Sequence, residues 1–461
     1  MSETSLVNPT APAIVSTSTR KEAGTADAAA VPAEPKKPSF PLIGFVHADG
    51  VIFESIISRT GYMQFACLKN GTVEKVSEVE TADRFILPQF GLKGLWECNA
   101  FSLPSDVWVH TIPTQVLLED IKSFIARYAD APAEWMEPIA LYVMMTWVFD
   151  RFTAVPYLRF LGEPQTGKTR LMQAAAALCF RSLCVSGNIT GAALYRSLEL
   201  TKGTLAVDEA DFKQSEAWSD ITKVFNCGYM QGFAVIRNER VGNEYQPTGF
   251  SPFGPKIIST RHRFDDQATE SRCITFETKK RALPKHIPLQ LPLQFYQEAG
   301  LMQNKLLRWR FDNYNQTEAR EDEMRQILPR LGQIGASLAA VAPGGDVRDR
   351  LVSFLNDYDR SVGEESDETV VAQALRRIKS EQISEKTTAT VGQIAIVACE
   401  ISKSLGKGEL SAKAVGSILR GTFGLKPRRS KGGWNVEIPD LADERLAVAG
   451  ERGERCSGVS R

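Results

Sequence analysis

The spacing of apolar positions changes along the chain, and each change marks a part. Residues 1–38 are rich in Ala, Pro, Ser and Thr and nearly devoid of aromatic residues. So little apolar surface cannot order a segment, and a disordered tail is expected there. Between Pro41 and His110 the short apolar runs LIGFVHA, VIFESIIS, YMQFACL and RFILP are separated by turn signals such as Ala48-Asp49-Gly50 and Lys69-Asn70-Gly71. That rhythm predicts a small β-rich domain over 39–112. Two helical patterns follow over Thr114–Tyr128 and Glu134–Phe152, a helical linker or collar over 113–153. The second is apolar nearly all round and is expected to be buried.

From Tyr157 to Glu277 short apolar runs alternate with helical segments. This is the signature of an α/β unit around a largely parallel sheet, placed over 154–285. Helical patterns return over Leu291–Ala342 and, more charged, over Asp346–Ser380, giving a lid or linker region over 286–390. A last ordered module is expected over 391–439, followed by a charged flexible tail over 440–461.

Composition narrows the class. A chain of 461 residues, 43% hydrophobic and 24% charged, suits a soluble globular protein of roughly two to four domains. Lys plus Arg balance Asp plus Glu at 55 each, so any affinity for nucleic acid has to come from local basic patches. The eight cysteines (Cys67, Cys98, Cys179, Cys184, Cys227, Cys273, Cys399, Cys456) form no C-x-x-C pair. With only four histidines, this argues against a zinc module and a disulfide framework and fits reduced thiols. The most apolar stretch, Ile139–Val148, is too short to span a bilayer. No membrane partner and a cytoplasmic location are therefore expected.

One stretch carries chemistry. In FLGEPQTGKTR, Gly162-Glu163-Pro164-Gln165-Thr166-Gly167-Lys168-Thr169 matches the phosphate-loop pattern of P-loop NTPases, and Arg170 follows it. In that pattern glycines turn backbone N–H groups toward phosphates, the lysine reaches the terminal phosphates and the threonine holds Mg²⁺. Tyr157–Leu161 before the loop reads as a strand. Leu171–Cys179 after it reads as a helix whose N-terminus aims its dipole at an anion. Downstream, Leu205-Ala-Val-Asp208-Glu209 is an apolar strand ending in two carboxylates, the Walker B arrangement. There Asp208 is the candidate for Mg²⁺ and Glu209 for polarising the attacking water. Asp211 either supports Glu209 or caps the next helix. ATP and Mg²⁺ are the cofactors this set calls for.

The ordered set GEPQTGKT, LAVDEAD, KIIST and DDQATESRCITF, with NCGYMQGFAVIRNE between the second and third, resembles the AAA+ ATPase core of phage and plasmid replication proteins. It is similar to superfamily 3 helicases and helicase-primase ATPase domains over Ala154–Glu277. The resemblance implies an AAA+-like core, assembly into rings, commonly hexamers, and hydrolysis coupled to movement of DNA-contacting hairpins. It places Ser259 and Thr260 where the family keeps a residue, often Asn, near the γ-phosphate. Arg272 is placed where an arginine reaches a neighbouring subunit's nucleotide, with a surface salt bridge as the other reading.

Two segments are candidates for DNA. Gly232–Gln246 reads as a hairpin, where related ring helicases carry a pore hairpin, with Arg237 and Arg240 as backbone contacts and subunit packing as the alternative. In the C-terminal module, Gln393–Leu405 and Ser411–Gly421 read as helices, the second capped by Ser411. A basic hairpin follows with Lys426, Arg428, Arg429 and Lys431. Helices followed by a basic hairpin resemble a winged helix, in which the wing contacts phosphate; a protein-interaction module is the alternative. The function expected is a DNA-stimulated ATPase, a helicase or translocase of mobile-element replication, or else a non-motor ATP-switched loader or regulator.

Overall fold

The computed structural model describes residues 37–58, 60–209, 216–241, 244–264, 266–364, 367–381, 387–404, 409–430 and 433–438. Nearly all of both expected tails lies outside the described residues, as do Asp211, Lys407 and Lys431. Among the described residues the chain divides into two units, one within Met1–Met324 and Gly332–Arg348, the other within Arg325–Leu331 and Asp349–Arg461.

The first unit begins with seven short strands, β1 (Ser39–Leu42), β2 (Gly44–Val46), β3 (Ile52–Ile57), β4 (Met63–Lys69), β5 (Thr72–Val76), β6 (Val79–Glu80) and β7 (Phe85–Pro88). They form an antiparallel sheet in the order β2-β3-β4-β5 and a three-stranded sheet in the order β1-β7-β6. Phe53, Phe65, Cys67 and Ile86 make a small core, with Phe45 stacked on Phe53 at 4.9 Å. Helices α1 (Lys93–Glu97), α2 (Thr114–Tyr128) and α3 (Ala133–Thr146) follow. The expected second helix ends six residues early. The Thr146 hydroxyl donates to Val143 O at 2.6 Å and accepts the Phe180 N–H at 3.0 Å, while the Trp147 indole donates to Leu178 O at 2.8 Å. Partners distant in sequence thus stop a helix that local periodicity would continue.

Next come β8 (Tyr157–Leu161), α4 (Lys168–Ala176), β9 (Leu183–Ser186), α5 (Gly191–Thr201), β10 (Leu205–Asp208), α6 (Glu216–Cys227), the hairpin β11 (Val235–Val241) and β12 (Glu244–Phe250), β13 (Lys256–Thr260), α7 (Gln267–Glu270) and β14 (Cys273–Glu277). Five strands form an all-parallel sheet in the order β14-β8-β13-β10-β9. This is the mixed α/β architecture expected of a P-loop-like core. All five residues of β8 are buried, as a central parallel strand covered on both faces requires. Even Arg159 is fully buried there, forked onto the Glu270 carboxylate with its Nε donating to Thr275 Oγ1 at 3.0 Å. Burial works to raise Glu270, but the hydrogen bonds and charge of Arg159 outweigh it and hold the carboxyl below its ordinary range.

Helices α8 (Leu293–Asn313) and α9 (Pro329–Val341) follow. The charged pattern over Asp346–Ser380 is two helices, α10 (Gly345–Glu364) and α11 (Asp367–Glu381), the second starting on Asp367 and Glu368 as a helix dipole favours. The second unit continues with β15 (Thr387–Thr390), α12 (Val391–Ser404), α13 (Ala412–Gly421), β16 (Arg428–Ser430) and β17 (Gly433–Ile438). Its sheet has the order β15-β17-β16, all antiparallel. Ser411 caps α13, its Oγ accepting the Ala414 N–H at 3.2 Å. Val371, Leu375, Ile394, Ala398, Val415, Leu419, Phe423 and Val436 form the core of this unit.

Candidate functional site

The loop between β8 and α4 lies at the carboxyl edge of the parallel sheet, beside β13 and β14, where open α/β sheets take their ligands. Gly162 is forced by contact: a Cβ there would stand 2.4 Å from Thr278 Oγ1 and 2.7 Å from Thr278 O. Thr278 closes the back of the loop, its hydroxyl 2.6 Å from that of Thr166. Gln165 and Gly167 adopt left-handed backbone, φ 68° and 89°, which turns successive N–H groups to one side. Gly167 is also the N-cap of α4 and brings no side-chain cap. The first-turn N–H groups of α4 are therefore available to an anion. Lys168 folds over the loop and donates to Glu163 O at 2.9 Å, a carbonyl that also accepts the Thr166 hydroxyl at 2.8 Å.

Across the sheet, the Thr169 hydroxyl donates to Asp208 Oδ1 at 3.1 Å, and that same oxygen accepts the Glu209 N–H at 3.1 Å. The expected metal pair thus stands together, thirty-nine residues apart in sequence. Glu209 has left-handed backbone at φ 52° and a largely exposed carboxylate, with Arg261 3.5 Å away. Gly187 permits this turn, since a Cβ there would lie 2.3 Å from Glu209 O. Among the described residues no group of three or more His, Cys, Asp or Glu could hold a metal. A hydroxyl beside a carboxylate fits Mg²⁺ nonetheless, because that ion keeps several waters and takes its other oxygens from phosphates. Ser259 and Thr260 end β13, and both hydroxyls are buried without a hydrogen-bond partner. Neighbours on a strand face opposite sides, so one of the two at most can face the loop.

Several expected site residues are placed otherwise. Arg170 sends its guanidinium away from the loop, donating to the carbonyls of Tyr128 (3.4 Å), Pro288 (2.9 Å) and Leu289 (2.7 Å). Only its backbone remains with α4. Arg272 precedes β14, at the edge of the sheet opposite the loop, and is buried. Its guanidinium donates to Ala268 O and lies 4.4 Å from the centre of the Tyr229 ring. A side chain packed into its own subunit cannot reach a neighbour's nucleotide without giving up both contacts. Arg237 and Arg240 do not form one patch: three positions apart on β11, they face opposite sides of the hairpin. Arg237 turns back onto its own chain, 5.4 Å from the Tyr195 ring. Arg240 is exposed beside its cross-strand partner Tyr245, which is 74% exposed, and shares a face with the exposed Ile236. Lys426, Arg428 and Arg429 are exposed at the C-terminal hairpin.

Sequence reading missed two further elements. Lys256 opens β13, is fully buried and donates to Gly228 O (3.1 Å), Pro252 O (2.9 Å) and Gly254 O (3.0 Å), gripping both feet of the β11–β12 hairpin. Burial pushes this ammonium down to about 7, and the three carbonyl dipoles resist that push. Glu54 of β3, buried at 2%, accepts Arg310 Nε at 2.8 Å and pairs with Arg181, while Arg310 also reaches Asp150 at 2.9 Å. The N-terminal sheet is thereby keyed to the parallel-sheet core through buried charge.

No family model and no curated protein matches this chain. Among solved structures it is similar to the C-terminal region of NrS-1, at 10% identity over 84% of this chain and 95% of that one, TM-score 0.33. It is also similar to a full-length MCM homolog from Methanopyrus kandleri (11% identity, 67% and 78% covered, TM-score 0.31) and to the JCV helicase (13%, 55% and 62%, 0.26). Likeness at this distance carries nothing about chemistry. No helix among the described residues is long and apolar enough to cross a membrane.

Proposed function

We propose that this chain is a Mg²⁺-dependent, DNA-stimulated ATPase that acts as a helicase or translocase in DNA replication of a mobile-element type. The observation that carries the reading is the meeting of Thr169 with Asp208 at 3.1 Å beside an uncapped helix N-terminus. The loop N–H groups and Lys168 take the phosphates, with Lys168 exchanging the Glu163 carbonyl for a phosphate oxygen. Thr169 and Asp208 would hold the metal, which would supply neutralisation of the phosphate charge. Glu209, at the exposed end of β10, takes the proton of the attacking water. Arg261, beside it, positions that carboxylate.

DNA is the partner in this reading. The second unit supports it through its order of helix, strand, two helices and basic hairpin, which fits a winged helix. Its helix α13 presents Lys413, Ser417 and Arg420 as one exposed stripe, and Lys426, Arg428 and Arg429 supply the wing. Lys431 belongs to the same expected basic hairpin. Self-association into a ring, commonly a hexamer in such families, follows from the resemblance alone and is tested by light scattering with and without ATP. One observation favours the second reading, an ATP-switched loader without a motor: Arg272 is not presented to a neighbour.

The test is binding of a fluorescent ATP analogue with Mg²⁺, followed by unwinding of a forked duplex. Lys168→Ala is expected to abolish tight binding. Unchanged binding in that variant would refute the site, and nucleotide binding without unwinding would favour the loader.

A further inference from the structure

Along β17, Trp434, Val436 and Ile438 share one face of the sheet. Val436 and Ile438 are each 2% exposed in the core of the second unit, yet Trp434 is 56% exposed. The sheet face therefore runs on past the helices that cover it, and an indole stands where the covering ends. Register places Arg429 of β16 directly across from Trp434, on the same face. Arg428, across from Asn435, faces the other side of the sheet, and Lys426 is exposed nearby along the chain. Glu437 lies on the face of β17 opposite Trp434 and Arg429, and elsewhere in this unit Glu409 is paired with Lys403 at 2.8 Å and Glu400 with Arg377 at 3.2 Å. A flat apolar ring flanked by guanidinium is complementary to a polyanion that also offers flat apolar groups. Single-stranded nucleic acid has both, whereas a continuous duplex hides its base faces and presents phosphate alone.

We propose that Trp434 is a base-stacking platform through which the second unit prefers unpaired nucleotides to continuous duplex. This rests on the reading that the second unit binds nucleic acid. Arg429 holds the phosphate next to the stacked base, and Lys426, Arg428 and Arg429 contribute part of the salt-dependent affinity.

The test uses the full chain and fluorescence anisotropy with a labelled oligothymidylate and a blunt duplex, each over a salt series. Trp434→Ala is expected to weaken oligothymidylate binding by about 10-fold, to change duplex binding less than twofold and to leave the salt slope unaltered. Trp434→Phe should restore most of the loss. Arg428→Ala with Arg429→Ala should weaken both ligands and flatten the slope. If the arginine pair matters but Trp434→Ala weakens both ligands equally or neither, the platform is refuted while nucleic-acid binding stands. If neither variant changes binding, the reading of the second unit fails as well. Trp434-dependent binding to phosphatidylserine vesicles without an effect on oligothymidylate would overturn the proposal in favour of a membrane surface.

Discussion

Replacing Lys256 with methionine keeps the length of the side chain and removes its charge and donors. Gly228 O keeps the Gly254 N–H as a second donor at 3.0 Å, so two carbonyls, Pro252 O and Gly254 O, lose their partner. At about 1–3 kcal/mol for each buried unsatisfied group the gross loss is about 2–6 kcal/mol. Relief from burying an ammonium offsets part of it, leaving a net destabilisation of about 2–4 kcal/mol near neutral pH. The pH dependence carries the sign. The folded-state value of about 7 lies below the ordinary 10.5, so between those values the unfolded chain binds more protons than the native one. Stability of the wild type relative to the variant should therefore be flat below neutrality and rise with pH above it, by up to about 1.4 kcal/mol per pH unit. A chain of two units does not unfold in one step, so the local reading is taken by hydrogen exchange of the peptides covering β13 and the hairpin feet, beside urea unfolding. A destabilisation below about 1 kcal/mol would refute the carbonyl cage. A wild-type advantage that stays flat from neutral to alkaline pH would refute the depressed ammonium.

Two further outcomes follow from the same packing. Glu54→Ala leaves Arg181 and Arg310 buried without their shared carboxylate and should destabilise the first unit by about 3–5 kcal/mol, read by thermal unfolding; a loss near zero would contradict the buried key. Arg240→Ala should weaken DNA binding and lower its salt slope by about one, while Arg237→Ala, whose side chain faces Tyr195, should leave the slope unchanged; equal slopes for both variants would contradict the facing of the hairpin.

What the sequence made legible was contiguous. Strand, glycine loop and helix are adjacent and were read from local pattern, while the partners of Arg159, Gly162, Thr169 and Arg170 (Glu270, Thr278, Asp208 and Pro288 among them) are distant in sequence and were supplied by the fold. Hairpin β11–β12 and the Ser411 cap are local as well. The fate of Arg272 was not, because Tyr229 lies far back along the chain and only the fold brings its ring under the guanidinium. Lys256 begins an ordinary apolar strand, and a lysine at such a place reads as solvated; the carbonyls that surround it come from both feet of a hairpin. β15, Thr-Thr-Ala-Thr, carries too little apolar signal and is a strand because β17 pairs with it. The opposite facings of Arg237 and Arg240 were available from period two alone and were missed by counting charges without parity.

In the proposed function Glu209 serves hydrolysis at a site that responds to DNA. The decisive comparison is ATP turnover of the wild type and of Glu209→Gln, each with and without single-stranded DNA. Wild-type turnover is expected to rise with DNA, and the variant to bind nucleotide normally but turn over at least about 100-fold more slowly. Undiminished turnover in Glu209→Gln, or wild-type turnover indifferent to DNA, would contradict it.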